Sequence, residues 1–233
     1  MMDDDALVRL AGQSPFIFGG EVVSEGASAG VTVDEVIRVP EGMTGFAGSR
    51  VTVLLEHPLS RGRYIFFADP YAVGGSVEVR ERGHVDGDDA ERVREALRAS
   101  YARRMEERFE AAALVVLGRM GEVRALTEGR PRGIPWAVAT LEMERVLKGP
   151  AKQHHVLVLG PRYASRRLPP APPLRAGLRA IFFLTHAPHE AMELVGDNRE
   201  GTFHIATSWD IQPAERLEEI EKIAGKEKKR GER

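Results

Sequence analysis

Apolar residues in this chain come in short blocks separated by turn formers. Residues 16–23 form a compact apolar run with two glycines, which reads as a strand bending at Gly19-Gly20. Residues 31–39 are β-branched and largely alternating, the pattern of a strand with one wet face. Residues 50–55, 63–68 and 76–80 read as three more strands, with Pro- and Gly-containing spacers between them. The period then changes. Val93, Leu97, Tyr101, Met105 and Phe109 recur every four residues among Arg and Glu, the stripe of an amphipathic helix over 88–110. A short helix over 6–11 follows Asp3, Asp4 and Asp5 and ends at Gly12. Beyond residue 110 five more strands are predicted, near 114–123, 136–147, 155–159, 179–185 and 202–206. Asp69-Pro70-Tyr71 and Asp210-Ile211-Gln212-Pro213 read as turn and helix-start signals. Pro213 opens a closing helix that Gly225 stops, leaving 226–233 as a charged tail.

The second set of blocks repeats the first in order. Phe18-Gly19-Gly20-Glu21-Val22 matches Val116-Leu117-Gly118-Arg119-Met120 at an offset of 98 (Gly20 to Gly118). Val36 to Gly42 matches Met143 to Gly149 at 107 (Gly42 to Gly149), and Val51-Thr52-Val53-Leu54 matches Val156-Leu157-Val158-Leu159 at 105 (Val51 to Val156). Ile65-Phe66-Phe67 matches Ile181-Phe182-Phe183 at 116 (Ile65 to Ile181). A period near 100 residues is too long for a solenoid unit and fits a duplicated domain. The expected organisation is a first domain over 1–87, a linking helix over 88–110, a second domain over 111–225 and the tail.

Composition narrows the function classes. Hydrophobic residues at 42% and charged residues at 29% describe an ordinary globular chain, and a net charge of −2 gives no whole-molecule field for nucleic acid or anionic lipid. The absence of cysteine excludes disulfides, thiolate metal sites and a cysteine nucleophile. The acidic start lacks the basic and apolar regions of a secretory signal, and no run approaches the length of a membrane span. A cytoplasmic location is expected, or an exported one if a signal peptide has been removed, with no membrane partner.

Five short strands per copy with a helix at the end suggest a small barrel of the oligonucleotide/oligosaccharide-binding (OB) type. The fold class expected is mainly β with flanking helices, two tandem OB-type five-stranded barrels joined by an amphipathic helix. The text sharpens this. Gly118-Arg119-Met120, Met143 to Gly149 and Gly177 to Leu184 resemble the netrin-like module shared with tissue inhibitors of metalloproteinases, and the first copy carries the same text more weakly. Inhibition in that family uses an N-terminal cysteine and disulfides, which this chain lacks, so the resemblance implies a fold and not that mechanism.

Candidate chemistry is sparse. Residues 119–179 hold twelve Arg and Lys against four Glu, and Arg162, Tyr163, Arg166 and Arg167 place an aromatic ring among guanidinium groups. With Arg130 and Arg132 they are the candidate binding residues, since barrel loops of this kind bind single strands by stacking and phosphate pairing. His186, His189 and Glu190 could supply metal ligands or a hydrolytic site, but lack a helical His-Glu-x-x-His order. No nucleophile elbow and no phosphate-cradling loop is present, and no cofactor is implied. The expectation is a non-catalytic protein that binds another protein through its barrel loops. Binding of a polyanion or single strand by the second copy, and a hydrolase site between the copies, are the alternatives.

Overall fold

The computed structural model describes the chain except residues 1, 25, 41–44, 74–76, 127–135, 151–153, 162–172, 188–194, 196–201, 232 and 233. It is mainly β, with two closed five-stranded barrels in tandem joined by a helix. Two compact units result, residues 1–103 and 104–233.

In the first unit, helix α1 (Asp4–Gln13) precedes strands β1 (Phe16–Val22), β2 (Ser28–Arg38), β3 (Arg50–Leu54), β4 (Gly62–Val73) and β5 (Val77–Asp86). The Asp3 carboxylate accepts from the Ala6 N–H at 2.7 Å and caps α1. The strands close in the order β1-β2-β3-β5-β4, with β3 and β5 parallel and the other pairs antiparallel. That arrangement is compatible with an OB-type barrel. Phe16, Phe18, Val31, Val33, Val51, Val53 and Phe66 fill the interior. The intervening residues Ile17, Ile65 and Phe67 point outward and are covered by Leu7 and Ala11 of α1 and by Val93 and Ala96 of α2 (Ala90–Ala111). Both faces of the β1–β4 ribbon are therefore buried, which is why its sequence is continuously apolar rather than alternating. Each phenylalanine so placed contributes about 2–3 kcal/mol of burial.

The second unit repeats this plan. Strands β6 (Leu114–Ala125), β7 (Trp136–Lys148), β8 (His155–Pro161), β9 (Arg179–His186) and β10 (Thr202–His204) close as β6-β7-β8-β10-β9, again with one parallel pair, β8 and β10. The interior holds Leu114, Val116, Leu141, Val158, Phe182, Leu184, Phe203 and Ile205. Outside it, the Phe109 ring of α2 meets Phe183 edge-on at 6.3 Å. A further short strand, β11 (Ile211–Pro213), pairs with β9 and leads through a 3-10 turn into helix α3 (Leu217–Gly231).

Four expectations change. Pro70 does not turn the chain: β4 continues through it, because the missing N–H falls at an irregularity between Pro70 and Ala72. Ile211 to Pro213 is strand rather than turn. Gly225 does not stop the last helix, which runs to Gly231. In the second strand the copies are offset by 110 and not 107: Val36 lies opposite Phe18, and Val146 lies opposite Val116. The offsets 98, 105 and 116 agree with the pairing of β1, β3 and β4 with their neighbours. Among the described residues no helix is long and apolar enough to cross a membrane.

Candidate functional site

The six candidate binding residues, Arg130, Arg132, Arg162, Tyr163, Arg166 and Arg167, lie outside the described residues, as do His189 and Glu190. His186 is described, and its ring stacks on Phe203 with centroids 5.5 Å apart. Among the described basic residues between 119 and 179, three are held in ion pairs: Arg145 with Glu221, Lys148 with Glu227 and Arg179 with Glu144. Hydrogen bonding to Arg179 lowers the Glu144 carboxyl pKa from its ordinary value. Two of those acids, on α3, lie beyond the stretch whose charge was counted. This part of the basic excess is neutralised within the unit.

The ion pairs form a framework common to both copies. Arg63 grips Asp34 at 2.9 and 3.1 Å, and Arg179 grips Glu144 at 2.9 Å, at positions matched by the offsets 116 and 110. Arg38 Nη1 donates to the Ala11 carbonyl at the end of α1. Lys148 Nζ donates to the Phe109 and Glu110 carbonyls at the end of α2. Both cations satisfy carbonyls orphaned at a helix C-terminus. Glu35 pairs with Arg94 of α2, and Arg145 pairs with Glu221 of α3, the same contact with its charges exchanged.

Against this shared framework, two places in the first unit stand out. The first is inside the barrel. The Glu81 side chain is only 5% exposed, and its carboxylate meets His84 Nδ1 while accepting from the Glu56 N–H at 3.4 Å. The His84 ring lies edge-on to Tyr64 at 5.4 Å and 6.4 Å from Phe66. The matching positions of the second unit are apolar. His84 faces Phe66 as Ile211 faces Phe182, and Tyr64 faces Gly20 as Ala180 faces Gly118. Glu81 follows Arg80, paired with Leu54, as the buried Ile205 follows His204, paired with Leu159. The second copy shows that this barrel closes with isoleucine and alanine here, so the polar trio is no requirement of the fold. Burying a carboxylate costs free energy unless it is paired. The sequence reading ended this strand at residue 80; matching 78–81 to Thr202-Phe203-His204-Ile205 would have exposed the substitution.

The second place is a groove of about 540 Å³ between α1 and α2, lined by Asp4, Leu7, Val8, Arg92, Glu95, Ala96 and Ala99. Its floor is aliphatic. Arg92 is spent on Asp4 at 2.8 Å and on the Met2 carbonyl at 2.6 Å, and hydrogen bonding to Asp4 raises its pKa. Among the described residues no cation pairs with Glu95. Strand pairing carries the comparison into the helices: Val85 faces Ile65 as Gln212 faces Ile181, and a 3-10 turn follows each strand. Val8 then corresponds to Glu106 and Ala99 to Lys226, and that pair joins at 3.0 Å. Leu7 corresponds to Met105, of about the same volume, and Ala96 to the larger Ile223. In the second copy an ion pair bridges the two helices where the first has valine and alanine.

No family model matches the chain, and no curated protein matches it. Among the described residues no three His, Asp or Glu side chains are grouped to hold a metal ion.

Proposed function

We propose that this is a non-catalytic binding protein of two netrin-like, OB-type barrels that acts through contacts with another protein. One observation carries this reading. Away from the Glu81–His84 pair the copies share an apolar interior and the same ion-pair framework, yet they differ on the surface between their two outer helices, where Val8 and Ala99 line a groove in the first and Glu106 and Lys226 form an ion pair in the second. Exposed aliphatic surface beside charged residues is the composition of a protein contact. The test is capture from native lysate by the immobilised full chain, with and without nuclease treatment and across a salt series. A partner set that survives nuclease and moderate salt supports protein binding. Enrichment abolished by nuclease, with a steep loss as salt rises, would replace it with the polyanion reading.

The Glu81–His84 pair supports a second reading, acid–base catalysis. A buried carboxylate at Nδ1 orients an imidazole whose Nε2 has no hydrogen-bond partner among the described residues, the arrangement of a histidine acid–base. A screen of ester, phosphoester and glycoside substrates tests it. Activity abolished by His84→Ala in a folded variant supports this reading, and activity unchanged by His84→Ala removes it.

A further inference from the structure

We infer that the groove between α1 and α2 seats one face of an amphipathic helix from a partner protein, a face carrying bulky aliphatic side chains flanked by Lys or Arg. The inference rests on the protein-binding reading above and names the partner's chemistry.

The floor sets the apolar part. Leu7 and Ala96 are almost fully buried, while Val8 and Ala99 remain accessible, leaving a trough of about 540 Å³ with aliphatic side chains from both helices. A trough between two helices accepts a third by ridge-into-groove packing, read by the partner as anchors at i, i+3 or i+4, and i+7. The rim sets the charge. Its single cation, Arg92, is held by Asp4 and the Met2 carbonyl, while Glu95 is exposed and unpaired among the described residues. An incoming basic side chain is therefore favoured and an acidic one repelled.

The second copy supplies the comparison that makes the opening informative. At the corresponding positions Ile223 stands where the first copy has Ala96, and Lys226 pairs with Glu106. There the chain itself delivers a larger apolar group and a cation paired with an acid. In the first copy Ala96 is smaller, Val8 and Ala99 are uncharged, and Glu95 has no cation partner among the described residues. The partner inferred brings both missing groups.

The test uses the full chain and a labelled synthetic helical peptide with leucines at i, i+4 and i+7 flanked by lysines, read by fluorescence anisotropy. The control peptide has the lysines replaced by glutamate. Saturable binding of the basic peptide, about tenfold tighter than the acidic one, is expected. Val8→Glu with Ala99→Lys transplants the closing pair of the second copy, an arrangement this fold already holds, and should weaken the basic peptide at least about tenfold. Glu95→Lys, independent of that pair, should reverse the preference between the two peptides. Equal binding of both peptides, or an unchanged affinity in the folded double variant, overturns the inference. If lysate partners persist on the double variant while the peptide is lost or never bound, the groove is excluded as their site and the protein-binding reading stands. Loss of both together supports the groove.

Discussion

At the residue scale, the second unit is held by a carboxylate that water does not reach. Asp210 is fully buried, pairs with Arg108 of α2 and accepts from the Ala206 and Thr207 N–H groups at 2.8 Å. Removing it leaves two backbone donors and a guanidinium without their acceptor. Asp210→Ala should lower unfolding stability by about 3 kcal/mol, and Asp210→Asn by less because an acceptor oxygen remains; urea titration measures both. His204 lies nearby, half-buried, with Nδ1 2.9 Å from Thr185 Oγ1. Burial lowers its pKa below the ordinary 6.5, outweighing the opposing effects of the His186 backbone and Asp210. The unfolded chain thus binds the proton more readily than the folded one. This contribution is fully present above pH 6.5 and is lost as pH falls from there through the lowered folded value. His204→Asn should flatten the fall in urea midpoint between pH 7 and pH 5 without moving the midpoint's slope at higher pH.

At the element scale, each copy bends its first strand at a glycine that has no room for a side chain. A Cβ at Gly20 would sit 2.5 Å from the Thr32 carbonyl oxygen, and one at Gly118 would sit 2.4 Å from that of Glu142. Gly20→Ala and Gly118→Ala should each cost about 1–3 kcal/mol in thermal or urea unfolding. Gly225 is the opposite case, exposed within α3 with open space around it. Gly225→Ala should stabilise by about 0.5–1 kcal/mol, since glycine there carries only its entropic cost. The strands were legible where apolar text was dense, as in Ile65-Phe66-Phe67 and its match at 181–183. They were misread where local chemistry spoke against a strand that pairing then enforced, as at Pro70 and at Ile211 to Pro213. The error of three in the second strand has its own cause. Matching the text on its terminal glycine ignored which residues face inward, and an odd slip exchanges the two faces of a strand. With the offset of 110, Ala29, Val31 and Val33 fall on Ala139, Leu141 and Met143, all in or against the core. The Glu81–His84 pair was invisible because the alternating pattern stops at residue 80, short of both residues, whereas pairing with β4 carries the strand on to Asp86.

At the scale of the whole molecule, the account is one of repetition with divergence confined to defined places. Cores, helix clamps and ion pairs recur at fixed offsets, while the barrel interior near His84 and the surface between the outer helices do not. The repeated positions explain the fold, and the unrepeated ones are where a binding role is proposed. The claim beneath both is that the second barrel reproduces the first residue for residue at those offsets. The chain has no cysteine, so engineered pairs report strand register without interference. Glu21 lies opposite Thr32, and Arg119 lies opposite Glu142, all four exposed. Oxidation of paired cysteines under mild conditions, read by mass spectrometry of the intact chain, is the most direct measurement. The account predicts ready disulfide formation for 21 with 32 and for 119 with 142, and none for 119 with 139. Cross-linking of 119 with 139 in preference to 142 would contradict it.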